Sequence, residues 1–433
     1  MRKFALSFLC IVLIFSAPFA LADDSFTGWK AEVNEKIENG DFEGAAADLK
    51  AHEGEKDADY HYLMAKNASS QGDLDIALKQ LEQALAINPK HSLSMKGKAV
   101  VLYEQGKVSE AEKTINRAIE LEPNGELYYA RSAIHLSRGE LKKSLVALDA
   151  AISMEPKNVD YFIARGQVNL QLSQVQKAET DYTKAIAIDP ASAKSYLERG
   201  WLYRLKGDAT LARADLDKCV ELAPEFSKCY LGRGLLYQLT GEQKRAYDDF
   251  VKATDLEPDS PEAWFERANQ ELILRKFDAA ENSAKQVVRI KDGSNAQLFL
   301  GQVYTARGKL DEAIGAFNKT IDAVPGDVEA LLYRANAYAM KKEYDKALID
   351  LDQSIKLQPK FIKAYLAKAG IYFEQNNMKG AIKAYDAAIA ASPDDPTLYH
   401  LRSQLHERAG NYDASFADFK KAKELEAKIR EKQ

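Results

Sequence analysis

Hydrophobic and polar positions recur along the chain with a long fixed period, most clearly between residues 159 and 260. Cut into blocks of 34 residues, this stretch reads VDYFIARGQVNLQLSQVQKAETDYTKAIAIDPAS, AKSYLERGWLYRLKGDATLARADLDKCVELAPEF and SKCYLGRGLLYQLTGEQKRAYDDFVKATDLEPDS. Within a block, apolar and small residues return every three or four positions, as at Tyr196, Gly200 and Tyr203. This spacing predicts amphipathic helices. The fixed period predicts one supersecondary unit stacked on copies of itself.

The blocks keep their register residue by residue. Aromatic residues share the fourth place, glycines the eighth, alanines the twentieth and prolines the thirty-second: Phe162, Tyr196 and Tyr230; Gly166, Gly200 and Gly234; Ala178, Ala212 and Ala246; Pro190, Pro224 and Pro258. Glycine or a substitute at place fifteen ends the first helix of a block, and proline at place thirty-two stops the second.

This arrangement of an aromatic, small residues and a proline in a unit of 34 residues resembles the tetratricopeptide repeat. The resemblance implies an all-α fold, an α-solenoid in which each repeat contributes two antiparallel helices, A and B. It also implies that the A helices line the inner face of the solenoid. Alanine at place twenty and a small residue near place twenty-seven would let helices approach closely.

The repeats account for nearly all of the chain. We expect a cleavable signal peptide at 1–22, a degenerate first repeat at 23–57, tandem repeats over 58–419 and a charged capping helix at 420–433. This organisation leaves no room for a separate catalytic domain.

The first residues have the pattern of a targeting segment. A basic start is followed by an apolar run from Phe4 to about Phe15, and Ala20 and Ala22 stand at −3 and −1 before Asp23. The run is shorter than the ~20 residues of a bilayer span, although an uncleaved anchor is the alternative. We therefore expect an exported protein, most simply periplasmic, with no stable membrane span after cleavage.

Composition and motifs argue against several classes of function. The formal net charge is −5, and without a basic stripe we expect no nucleic-acid partner. Phosphate-cradling glycine loops, nucleophile elbows and zinc-protease motifs are missing from the sequence, so we expect no enzyme, no catalytic residue and no cofactor. His400 and His406 lie six apart on one predicted helix and so on different faces, and we expect no metal site.

Five units pair an arginine at place seven with an aspartate sixteen residues later. The pairs are Arg165 and Asp181, Arg199 and Asp215, Arg233 and Asp249, Arg334 and Asp350, and Arg402 and Asp418. In an antiparallel hairpin these places face each other. We expect an ion pair inside each repeat rather than a row of ligand-binding charges.

Members of the family bind extended peptides through places two, five, nine and thirteen of their A helices. Here the candidate groove residues, carried over from that resemblance, are Lys194, Leu197, Trp201, Leu205, Lys228, Leu231, Leu235, Leu239, Phe265, Asn269 and Ile273. Several form an apolar stripe, which usually marks an interaction site when it is exposed. The alternatives are burial by neighbouring helices and a homodimer interface.

The sequence thus favours a non-enzymatic scaffold that holds a protein or peptide segment for envelope assembly or secretion. The alternative is an accessory protein that handles a glycan or a lipid in polysaccharide export or outer-envelope biogenesis. An aliphatic stripe favours a peptide, whereas aligned aromatic rings would favour a glycan.

Cys219 and Cys229 lie on either side of the Pro224 turn, at place 27 of one unit and place three of the next. Places roughly equidistant from such a turn face each other, so the two cysteines should lie close together. An exported protein also enters an oxidising compartment, where disulfides form. We therefore predict a disulfide rather than two buried thiols, closing a loop of about ten residues that contributes roughly 2–3 kcal/mol. Alkylation in denaturant without reductant, followed by mass spectrometry, should label neither cysteine; labelling of both would contradict the bond.

Overall fold

The computed structural model describes residues 26–431, so the signal-peptide prediction lies outside the described residues. Within them the fold is all-α, as predicted, and it divides into two compact units, with the boundary in the chain between Pro224 and Glu225. The unit that ends at Pro224 contains α1 (Trp29–Glu38), α2 (Phe42–Ala51), α3 (Ala58–Ser70), α4 (Leu74–Ile87), α5 (Ser92–Glu104), α6 (Val108–Leu121), α7 (Gly125–Ser137), α8 (Leu141–Met154), α9 (Val159–Gln171), α10 (Val175–Ile188), α11 (Ala193–Lys206) and α12 (Ala209–Leu222).

The unit that begins at Glu225 repeats this plan. It contains α13 (Ser227–Thr240), α14 (Gln243–Leu256), α15 (Pro261–Ile273), α16 (Phe277–Ile290), α17 (Ser294–Arg307), α18 (Leu310–Ala323), α19 (Val328–Met340), α20 (Tyr344–Leu357), α21 (Ile362–Glu374), α22 (Met378–Ala391), α23 (Pro396–Arg408) and α24 (Tyr412–Arg430). In both units the odd-numbered helices are the A helices of the repeats and the even-numbered ones are the B helices. The final B helix, α24, continues without a break from Tyr412 to Arg430, into the segment predicted as a charged cap.

The turn from helix A to helix B uses a left-handed residue at place fifteen. Glycine fills this place in most repeats, for example Gly207 with φ of 81°. Four repeats instead place Ser173, Arg275, Lys342 and Asn376 there, with φ between 58° and 61°. A side chain in this region costs roughly 1–2 kcal/mol relative to glycine. The tight hairpin is therefore kept even where the local residue disfavours it.

Helices A and B of a repeat cross where place eight meets place 24. A Cβ added to Gly166, Gly234 or Gly301 would lie 2.4–2.7 Å from the ring opposite, which is Tyr182, Phe250 or Phe317. All three rings are completely buried. Where place eight is Ala369 or Ser403, the facing rings of Tyr385 and Phe419 are only partly buried or exposed. The glycines thus make room for an aromatic core residue.

The five predicted arginine–aspartate pairs are all formed. Arg199, for instance, donates from Nε and Nη2 to the two carboxylate oxygens of Asp215 at 2.8 and 2.9 Å. The aspartates are 3–7% exposed, whereas the side chain of Arg199 is 19% exposed. The prediction of ion pairs within the repeats is confirmed.

The structure adds a second partner that the sequence analysis missed. Nη1 of Arg165 donates to Asp149 at 2.7 Å, and Nη1 of Arg402 donates to Asp386 at 2.7 Å. Each acceptor lies sixteen residues before the arginine, on the B helix of the preceding repeat. One guanidinium therefore joins an A helix to the B helices on both of its sides.

Other repeats fill the same positions differently. Leu300 and Ala316 replace the ion pair with a buried apolar pair. Arg131 faces Ala147 at place 23, and its buried Nε has no hydrogen-bond partner among the described residues. The fold therefore tolerates an apolar pair at these places.

Cys219 and Cys229 are both completely buried, the first on α12 and the second on α13. Their pairing stays a prediction.

We predict that Gly234→Ala destabilises the hairpin of α13 and α14, because the new Cβ would lie 2.7 Å from the Phe250 ring. Overpacking of this kind costs about 1–3 kcal/mol. Adding Phe250→Leu reproduces the pair Ala335 and Leu351 of another repeat and should recover most of the loss. Amide hydrogen exchange in α13 and α14 measures both effects; unchanged exchange in Gly234→Ala would contradict the packing argument.

We also predict that Arg199→Ala lowers the local stability of α11 and α12 by about 3 kcal/mol, because it leaves the buried Asp215 carboxylate without its cation. Hydrogen exchange of these helices gives the local free energy of opening. The control is the double variant Arg199→Leu with Asp215→Ala, which reproduces the apolar pair Leu300 and Ala316 of another repeat. It should lower the local stability less than Arg199→Ala alone. Equal losses in the two variants would show that the stranded charge is not the cause.

Candidate functional site

Places five, nine and thirteen of an A helix lie four residues apart and therefore on one side of the helix. On α11 the predicted residues of this side differ in accessibility. Leu205 is 55% exposed and Trp201 is half-buried. Leu197 is only 5% exposed and belongs to the hydrophobic core. The Trp201 ring is covered by the Arg204 guanidinium, 4.4 Å from its centroid. Lys194 at place two is paired with Asp160 at 2.7 Å.

The corresponding side is more open on α13 and α15, in the unit that begins at Glu225. Leu239 is 63% exposed, Ile273 52% and Phe265 37%. The remaining predicted residues here are half-buried: Lys228, Leu231, Leu235 and Asn269. Leu231 and Leu235 pack on the buried Phe250, so their inner atoms belong to the core while their outer atoms face solvent.

This open side continues onto two A helices beyond those that the sequence analysis selected. Places five, nine, twelve and thirteen of α13, α15, α17 and α19 carry no ionisable side chain, and we call them the uncharged strip. Its members are Leu231, Leu235, Gln238, Leu239, Phe265, Asn269, Leu272, Ile273, Leu298, Gln302, Thr305, Ala306, Leu332, Asn336, Ala339 and Met340. Met340 is 56% exposed, and Gln302 and Asn336 are accessible.

Direct contacts bring the helices of the uncharged strip together. Gln238 on α13 donates to the side chain of Gln270 on α15 at 3.1 Å. The rings of Phe265 on α15 and Phe299 on α17 are 4.3 Å apart. Leu298 on α17 and Tyr333 on α19 pack on one core cluster. The four A helices therefore form a continuous surface.

Charges flank the strip at place sixteen, and each of them is engaged by a neighbour. Lys276 lies 3.6 Å from the centroid of the Tyr247 ring. Glu343 pairs with Lys346 at 2.7 Å and with Lys341 at 2.9 Å, while Lys309 pairs with Glu281 at 3.0 Å. On the side of the strip formed by place sixteen, the charges are therefore already compensated.

Glu281 is the centre of the strongest of these clusters. Burial by itself would raise the pKa of Glu281, but hydrogen bonds from Lys285, Lys309 and Arg307 outweigh that effect and lower the pKa to about 2. The carboxylate is therefore ionised at any pH near neutrality. It ties α16 to the turn between α17 and α18 and leaves Lys309 less available to a ligand.

The A helices of the other unit do not form an equivalent surface. At place nine, Lys66, Val100, Ala133 and Gln167 are each 2–5% exposed. Gln167 donates to Glu198 at 3.0 Å, and Lys66 donates to Asn34 at 2.7 Å. These places are used for contacts between neighbouring A helices, so they cannot also hold a ligand.

Two further observations bear on chemistry. In the part of the chain that the structure describes, no helix is both long and apolar enough to cross a bilayer. Over residues 26–431, no three histidine, cysteine, aspartate or glutamate side chains group as metal ligands would. His400, singled out in the sequence, instead pairs with Glu426 at 2.9 Å.

Comparison with known proteins places this geometry in a family. Four family models, each described as a tetratricopeptide repeat, match residues 68–134 and 341–405, residues 129–193, 271–328 and 298–360, residues 181–214, and residues 396–429. No curated protein matches the chain.

Several solved structures are similar to parts of the chain. YrrB, a TPR protein with an unusual peptide-binding site, is 27% identical over 43% of this chain and 97% of its own, with a TM-score of 0.39. MamA is 25% identical over 38% of this chain and 96% of its own, with a TM-score of 0.32. A repeat protein from Parabacteroides merdae is 20% identical over 57% of this chain and 98% of its own, with a TM-score of 0.44.

The family models together span more than half of the sequence, and their period is that of the hairpins described above. The chain therefore belongs to the tetratricopeptide repeat family, whose members are in general non-catalytic scaffolds for protein–protein interaction.

Proposed function

We propose that this protein is an exported, non-catalytic scaffold that binds a segment of a partner protein on the uncharged strip. The observation that carries the proposal is the exposure of Leu239, Ile273 and Met340, each more than half accessible on a separate A helix. Exposed apolar side chains grouped on one surface usually mark an interaction site. A repeat scaffold supplies such a surface without a separate binding domain.

A peptide is the class of ligand that this surface suits best. The strip combines aliphatic side chains with the amides of Asn269, Gln302 and Asn336. Aliphatic groups favour apolar side chains, and amides can both donate to and accept from a peptide backbone. Only one aromatic residue, Phe265, lies in the strip, which gives little support to stacking on sugar rings.

The export of the scaffold rests on the leader pattern of residues 1–22, with its basic start, short apolar run and Ala-x-Ala end. An exported scaffold with a peptide-binding face would hold partner proteins during envelope assembly or secretion, most simply in the periplasm.

We predict that a photo-crosslinking amino acid at the exposed Asn336 captures a protein partner in cells, whereas the same group at the exposed Gln353 on helix B of that repeat does not. Capture from Asn336 should fall at least tenfold in Ile273→Glu, because a carboxylate would lose water on binding without gaining a partner. The matched control is Ile349→Glu, which changes a 66% exposed isoleucine of the B helix α20 and should leave capture unchanged.

The proposal would be wrong if Asn336 and Gln353 captured the same proteins, or if Ile273→Glu and Ile349→Glu had equal effects. Circular dichroism of the purified variants checks that helicity is preserved, since both isoleucines are more than half exposed.

A further inference from the structure

Helix α24 has one side that no other described helix covers. Its extensive contacts within the described part of the chain are with α23. On another side of α24, Tyr412 is 71% exposed and Phe416 is 70% exposed, and the charged residues Asp413 and Lys420 are exposed as well. By contrast Ile314, which shares place 21 with Phe416, is only 9% exposed, because the next A helix packs on it. Terminal repeats usually present a polar outer face, and the two rings of α24 depart from that pattern.

Helix α1 also has an uncovered side. It contacts α2 of its own repeat and α3 of the next one. Glu32, Glu35 and Asn39 lie at places seven, ten and fourteen, roughly one turn apart, and all three are exposed. In later repeats these places contact the B helix of the preceding repeat. Among the described ion pairs, none includes Glu32, Asp413 or Lys420.

Contacts between consecutive repeats follow a fixed pairing of places. Place 25 of a B helix meets place seven of the next A helix, and in several repeats the two carry an acid and a base. These pairs are 2.7–2.8 Å apart: Asp149 and Arg165, Asp386 and Arg402, and Glu82 and Lys98. Place 18 meets place fourteen, where Gln105 donates to Asp75 at 2.9 Å. Place 21 meets place eleven, as in the cluster that Ile314 and Tyr338 share.

The first of these pairings is reversed in charge on α24 and α1. Place 25 of α24 is Lys420, and place seven of α1 is Glu32. The other repeats have no acid at place seven but Met64, Lys98, Arg131, Arg165, Arg199, Arg233, Arg267, Leu300, Arg334, Lys368 and Arg402. Lys285 is the other lysine at place 25, and it pairs with Glu281 of its own helix at 2.7 Å. Of the A helices described, only α1 therefore offers an acid to Lys420.

The other two pairings match as well. Asp413 at place 18 of α24 would meet Asn39 at place fourteen of α1, whose side-chain amide can donate to the carboxylate. Phe416 at place 21 would meet Lys36 at place eleven, and an ammonium is attracted to the face of an aromatic ring. All three pairs of places are therefore complementary in the same register.

We propose that copies of this protein join head to tail, with α24 of one copy packing on α1 of the next as helix B of a repeat packs on helix A of the following repeat. The partner of this surface is thus a second copy of the chain. Because the contact joins two different surfaces, each added copy offers a further free end, and growth continues unless the ends close into a ring. The inference does not involve the uncharged strip.

Glu35 makes this contact weaker than the contacts between repeats of one chain. It occupies place ten, where Val168, Val303 and Ala337 are completely buried. Its carboxylate would lose water on assembly, so we expect assembly to be reversible and to depend on concentration. Glu35→Leu should raise the association constant at least tenfold, and added Lys420→Glu should abolish that gain. A constant that Glu35→Leu left unchanged or lowered would contradict the packing of α1 on α24.

Sedimentation velocity of the full chain over a range of concentrations tests the proposal. The unaltered protein should form species of two copies and more. Glu32→Lys places a lysine opposite Lys420 of the neighbouring copy, and Lys420→Glu places a glutamate opposite Glu32. Each variant should assemble at least tenfold more weakly, because like charges would meet in the contact. An unaltered protein that stayed monomeric at every concentration would overturn the proposal.

A mixture of the two single variants is the sharpest test. In the mixture both contacts again join opposite charges, so the variants should assemble in alternation although neither assembles well alone. The double variant Glu32→Lys with Lys420→Glu should also recover assembly. If neither the mixture nor the double variant associated, Glu32 and Lys420 would not be partners and the proposal would be wrong. Assembly of Glu32→Lys equal to that of the unaltered protein would mean that α1 takes no part, and would overturn it too.

Matched controls reverse exposed charges on other B helices. Glu312→Lys on α18 and Lys184→Glu on α10 should leave assembly unchanged, and circular dichroism checks that helicity is preserved in every variant. Ile273→Glu should likewise leave assembly unchanged, so that its effect on capture in cells reports on the uncharged strip alone. If these controls weakened assembly as much as Lys420→Glu does, the contact between α24 and α1 would be ruled out.

Discussion

Inside each unit, an A helix that follows another repeat is held between two B helices, and this constraint determines which of its faces is available to a ligand. Arg165 is an example, because its guanidinium donates hydrogen bonds to Asp181 of its own repeat and to Asp149 of the preceding repeat. Place eight of the same helices meets the core residue at place 24, as Gly234 meets Phe250. With two faces committed to packing, places five, nine and thirteen remain for binding.

Successive repeats are joined by different chemistry, although their backbones are alike. At place 21 of helix B, Ile314 is packed in an apolar cluster, Tyr247 receives the Lys276 ammonium, and Glu281 receives three cations. An ionic residue facing an apolar one would be buried without a partner, at a cost of several kcal/mol. These contacts therefore favour one order of repeats and oppose a shift of one hairpin along the stack.

Much of this fold follows from the sequence, since the period sets the helices and the repeated places set their pairing. The sixteen-residue spacing of Arg199 and Asp215 was enough to predict their ion pair. The second partner of Arg165 was missed because Asp149 belongs to another repeat, and its contact depends on how repeats stack rather than on the spacing inside one repeat. Accessibility was the least predictable property. Leu197 and Leu231 both occupy place five, yet only Leu197 is buried. The burial of a residue at this place depends on how closely the neighbouring A helices approach, which the spacing inside one repeat does not determine.

This closeness of approach decides where binding can occur. In the unit that ends at Pro224, place nine is filled by residues that contact the neighbouring A helix, such as Gln167 with Glu198. A ligand there would have to replace hydrogen bonds that already satisfy buried polar groups, which gains little free energy. A ligand on the uncharged strip would displace water from the exposed side chains of Leu239, Ile273 and Met340 and would break no such bond. Burial of apolar surface is worth about 25 cal/mol per Å², so a ligand on the strip would gain hydrophobic free energy without the loss of existing contacts.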